Sequence, residues 1–61
     1  MKVGEMFKYR DLDIIVTITE INSQGIIFEY TREGNSYHNG MSKRSFLQAF
    51  IPLTELYMAL L

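Results

Sequence analysis

The chain has 61 residues, with Lys+Arg 6 against Asp+Glu 7, no Cys and no Trp, 48% hydrophobic and 21% charged. This is an ordinary globular composition with room for one small domain over 1–61, and it excludes a disulfide framework, a zinc ribbon and thiol chemistry. A net charge of -1 removes any global attraction to nucleic acid, and a domain this small folds on a thin margin that association with another chain commonly reinforces.

At the start of the chain, Met1-Lys2-Val3-Gly4-Glu5-Met6 lacks the apolar run of a signal peptide. No stretch approaches the roughly 20 apolar residues of a membrane span, so a cytoplasmic protein with no membrane partner is expected. Met6-Phe7-Lys8-Tyr9-Arg10 alternates with period two, Phe7 and Tyr9 on one face and Lys8 and Arg10 on the other, which predicts a first strand. The charged break Arg10-Asp11-Leu12-Asp13 follows. Ile14 to Ile21 is dense in β-branched residues suited to a pleated surface, with Ile14, Val16 and Ile18 inward and Ile15, Thr17 and Thr19 on the opposite side.

Asn22-Ser23-Gln24-Gly25 reads as a hairpin turn into a return strand, Ile26 to Arg32, with Ile26, Phe28 and Tyr30 inward. Glu33-Gly34-Asn35 turns the chain again, and Ser36-Tyr37-His38 is predicted as a short fourth strand closed by an Asn39-Gly40 turn. After Gly40 the apolar period becomes helical. Ser42 is placed as N-cap of a short helix or 3₁₀ turn from Lys43 to Phe50 carrying Phe46, Leu47 and Phe50 at helical spacing. Ile51, before Pro52, is biased to extended backbone and permits a brief last strand or simply a break. Leu53 to Leu61 then reads as a terminal helix, started by Pro52 or capped by Thr54. The fold class predicted is all-β, a small antiparallel barrel of four to five strands over about 3–53, with an apolar C-terminal helix over about 53–61 plugging one open end.

Gly4-x-x-Phe7, the run Ile15-Val16-Thr17-Ile18-Thr19-Glu20-Ile21, the pattern Ile26-x-Phe28-x-Tyr30 and Met41-Ser42-x-x-x-Phe46-x-x-x-Phe50-x-Pro52 together resemble the small SH3-like barrel proteins of phages and mobile elements. The likeness covers most of residues 3 to 53. It implies an SH3-like barrel doing adaptor-type work, and that fold hosts peptide binding, nucleic-acid binding and host-factor inhibition alike. The apolar extension from Leu56 to Leu61 departs from the pattern.

The inventory for catalysis is poor, and no enzyme activity, cofactor or metal is expected. His38 is the only imidazole, with no Cys and no carboxylate at a diagnostic spacing. Asp11 and Asp13 offer too few oxygen ligands for a hard cation, and the four glycines are dispersed rather than gathered into a phosphate loop.

Two surfaces remain. Seven of the nine residues from Leu53 to Leu61 are apolar, and on a helix Leu53, Leu56, Tyr57 and Leu60 form a stripe with Met58 and Leu61 outside it. A small barrel covers one side only, so Tyr57, Met58, Leu60 and Leu61 are the candidate contacts for a protein partner or for self-association. The second surface is a basic and aromatic face of Lys8, Arg10, Arg32, Tyr37, Lys43 and Arg44, with Tyr37 expected to be the most exposed aromatic. The favoured function is a non-catalytic protein-binding module, an accessory or inhibitor occupying a host protein's surface. The alternative is a nucleic-acid-binding accessory protein using the basic face.

Overall fold

A computed structural model describes the backbone of residues 1–60 and the side chains through Met58. Its elements in chain order are β1 (Met6–Tyr9), β2 (Ile15–Asn22), β3 (Gly25–Arg32), β4 (Asn35–Met41), α1 (Lys43–Ala49), β5 (Phe50–Pro52) and α2 (Leu53–Leu60). The strands form one antiparallel sheet in the order β4-β3-β2-β1-β5. This is the meander of a small SH3-like barrel, in which the last strand returns to the first and a helical turn links β4 to β5. The predicted fold class is therefore the observed one.

Alternation builds the core as the sequence leads one to expect. Phe7, Val16, Ile18, Ile26 and Phe28 are buried on the concave face, Phe46 and Phe50 close it from α1 and β5, and Tyr9, Ile14 and Tyr30 pack around them. Phe46 is the keystone. It is fully buried, with ring centroids 4.8 Å from Phe7, 5.5 Å from Phe28 and 4.7 Å from Phe50. Ser42 caps α1 as predicted, its Oγ accepting from the Ser45 amide at 3.2 Å, which satisfies one of the helix's first free N–H groups.

Four features correct or sharpen the expectation. First, α1 and not α2 fills the open barrel: no described side chain of α2 belongs to the core cluster, and α2 packs on β5 and β1 instead. Second, β4 does not stop at His38. It runs through Asn39 and Gly40 to Met41, pairing Asn39 with Phe28 and Gly40 with Ile27. The long partner strand β3 overrides the local turn preference of Asn-Gly, a tertiary effect that turn chemistry alone does not carry. Third, of the two starts left open for α2 the one at Pro52 is found: the helix begins at Leu53, and Thr54 lies inside it.

The fourth difference is a bulge at Thr19, where the β2–β3 register slips between Ile18 and Glu20. The Thr19 hydroxyl donates to the Ile27 carbonyl at 3.2 Å. One extra residue reverses the facing of everything beyond it. Without it Glu20 would continue the inward series of Val16 and Ile18. With it, Glu20 pairs with Ile27 on the outer face, and Ile21 pairs with the buried Ile26.

Candidate functional site

The outer face of the sheet is set by the same alternation. Lys8 pairs with Ile15 and with Ile51, and Met6 with Thr17, so these side chains lie together on the side away from the core. Two of them, Met6 and Ile15, stay 45% and 44% exposed. Helix α2 sets Leu53, Leu56 and Tyr57 beside Lys8 and Ile15, and the five residues line an open apolar groove of about 410 Å³. Leu53 and Leu56 are half-buried there. Tyr57 and Met58 are 70% and 76% exposed, the two most exposed large apolar side chains among the described residues.

Tyr57, rather than Tyr37 at 43%, is thus the most exposed aromatic. Solvation explains the difference: Tyr37 stacks on Tyr30 at 5.2 Å and 20°, whereas Tyr57 projects from a helix covered on one side. Of the other residues predicted for this surface, the Leu60 side chain and Leu61 lie outside the described residues. Met6 and Ile15 were not among the residues expected at the site. The available signal was an apolar residue at an outward position of each strand, among the polar neighbours Lys8 and Thr17.

The basic residues are distributed over four places. The Lys8 ammonium donates to the Tyr9 carbonyl at 2.9 Å and lies in the groove just described. Arg10 is turned to the end of α1, its Nε 3.0 Å from the Gln48 carbonyl and its Nη2 3.4 Å from that of Leu47. Arg32 flanks the β3–β4 turn opposite Asn35, and Lys43 and Arg44 open α1 after the far end of β4. At about 3.3 Å per residue, the seven residues of β4 hold Arg32 and Lys43 roughly 20 Å apart. Tyr37 lies near the Arg32 end, on the same face as Tyr30. These six residues share no single face.

His38 is exposed on β4 across from Glu29. Among the described residues no group of three or more His, Cys, Asp or Glu side chains is placed to hold a metal ion, and no helix is long and apolar enough to cross a membrane. Comparison with protein-family models, curated proteins and solved structures finds no significant match.

Proposed function

We infer that the protein is a non-catalytic binding module that docks on another protein through α2 and the adjoining outer face of β1 and β2. One observation carries the reading. Tyr57 stands in solvent at the rim of an apolar groove lined also by Ile15, Leu53 and Leu56, with the exposed Met58 next to it in the chain, and an exposed aromatic beside an apolar slot is the composition of an interface centre. The resemblance to phage and mobile-element barrels extends this to an accessory or inhibitor that occupies a host protein's surface in the cytoplasm.

Nucleic-acid binding draws less support. Its driving term is phosphate neutralisation by convergent cations, and here Arg10 is engaged with α1 while Arg32 and Lys43 sit at opposite ends of β4. The test is affinity capture from the native cell with three forms of the protein. A partner held by the native chain and by Lys43→Glu/Arg44→Glu, but released by Tyr57→Asp, supports docking through α2. Retention by Tyr57→Asp with loss in the double variant reverses the ranking, as does a mobility shift of nucleic acid that weakens steeply with salt.

A further inference from the structure

The two edges of the sheet are treated very differently. The β5 edge is three residues long, ends in Pro52, and has both helices packed against it. The β4 edge is seven residues long, exposed along almost its whole length, and keeps an unbroken register with β3 from Asn35 to Met41. Proteins blunt free edges with lysine, proline, bulges or a covering element. Strand β4, Asn35-Ser36-Tyr37-His38-Asn39-Gly40-Met41, carries no charged residue, no proline and no bulge. Among the described residues nothing pairs with its outer side.

The direction of its free hydrogen-bonding groups follows from the turn. Glu33 and Gly34 both have positive φ, 53° and 79°, and form a two-residue loop closed by Arg32 and Asn35. In such a hairpin the closing pair is hydrogen-bonded, so Asn35, Tyr37, Asn39 and Met41 bond to β3. The N–H and C=O groups of Ser36, His38 and Gly40 point away from the sheet.

We propose that β4 pairs antiparallel with β4 of a second copy of this chain, about a two-fold axis at His38. The occupant is set by self-complementarity. An uncharged strand meets its own copy without like-charge repulsion, and the register using all seven residues has His38 at its centre. That register offers about six interchain hydrogen bonds at Ser36, His38 and Gly40, in two of which the Gly40 amide exchanges Asn39 Oδ1 for a carbonyl of the second copy. It also sets no two large side chains directly opposite: Ser36 faces Gly40, and Tyr37 faces Asn39. The two Tyr37 rings come within diagonal reach across the axis, so the row Phe28–Tyr30–Tyr37, stacked at 6.4 and 5.2 Å, continues into the second copy. Because the β5 edge is closed, association stops at two chains.

A single strand pair buries less than the roughly 1,200–2,000 Å² of a stable interface, so the dimer is expected in the micromolar to millimolar range. Sedimentation of the full chain from about 10 µM to 1 mM, with hydrogen exchange at both ends of that range, tests it. Dimer formation should slow exchange at Ser36 and His38, whose amides have no hydrogen-bond partner among the described residues, whereas the Gly40 amide already donates to Asn39 Oδ1 at 2.9 Å. Ser36→Lys/His38→Lys sets four ammonium groups against one another across the axis and should raise the dissociation constant at least tenfold. The barrel tolerates this change, since both positions are exposed and Glu29 lies opposite residue 38. Tyr57→Asp should leave the dimer unchanged. A monomer at 1 mM, a mass above two chains, free exchange at the Ser36 and His38 amides, or a dimer broken by Tyr57→Asp but not by the lysines would each overturn the proposal.

Discussion

Arg10 holds the C-terminal end of α1 through Gln48, its Nε donating to the Gln48 carbonyl at 3.0 Å. The Arg10 amide donates to the next carbonyl, Ala49, at 2.9 Å. Helix α1 has no basic residue in its own last turn, so the cation that complements its dipole and its unpaired carbonyls comes from the end of β1. Arg10→Ala should cost about 1 kcal/mol, a fall in Tm of about 4–8 °C for a domain of this size. Arg10→Lys, with no planar fork of donors, should restore only part of it. Unfolding in urea measures both, and an unchanged midpoint for Arg10→Ala would remove the capping role.

Two glycines respond to a methyl group with opposite sign. At Gly25, φ is 153° and an added Cβ would lie 2.3 Å from the Met41 carbonyl oxygen, a backbone atom that cannot step aside. Gly25→Ala should destabilise by at least about 2 kcal/mol through strain and clash. At Gly40 the nearest atom to an added Cβ is 3.6 Å away, an ordinary contact, and the backbone is regular strand. Gly40→Ala should be neutral or stabilise by up to about 1 kcal/mol, because it restricts the unfolded chain. Equal losses in the two variants would contradict the assignment of Gly40 to a continuous strand.

Glu33 occupies a left-handed conformation, φ 53°, at the first position of a two-residue turn where Asn-Gly is the preferred pair. A glutamate side chain gains nothing there and carries the steric penalty of the left-handed region, about 1–2 kcal/mol. Glu33→Asn should therefore raise stability by about 0.5–1 kcal/mol. Thermal melts of the two proteins side by side give the answer.

Phe46 and Tyr57 mark the contrast between core and surface. Phe46→Ala should cost about 3–5 kcal/mol, enough to unfold a small domain whose total stability lies near the lower end of about 5–15 kcal/mol. Tyr57→Ala, at a residue 70% exposed, should change stability by less than about 0.5 kcal/mol. Circular dichroism of both variants separates them, and a large loss on Tyr57→Ala would make α2 part of the fold rather than a docking element.

What could be read in the sequence was what is local. Alternation marked Phe7, Val16, Ile18, Ile26 and Phe28 as inward, and Ser42 was recognisable as a cap from its hydroxyl and the helical spacing behind it. What could not be read depends on partners distant in the chain. The Asn39-Gly40 pair is a turn signal until β3 is laid beside it. Arg10 looks like a free surface cation until α1 ends next to it, and α2 looks like the barrel's plug until Phe46 is found in that place. At the candidate site, the apolar excess around Tyr57 and Met58 was visible, but the groove was not, because its other wall is Ile15 on a strand far away in sequence.

The pairing of Phe7 with Pro52 has a consequence for how the chain finds this structure. Phe7 and Pro52 lie 45 positions apart in the chain, and a loop of that length must close before β1 meets β5, so closure entropy is spent before the contacts that offset it form. The β2–β3 hairpin, with its two-residue turn and local pairings, is expected within about 1–10 µs. The complete barrel belongs to the slow, non-local class that folds on the order of milliseconds to seconds. Throughout that interval a formed β3–β4 edge is available before the aromatic core is sealed, so refolding at high protein concentration should be slower and less complete than at low concentration.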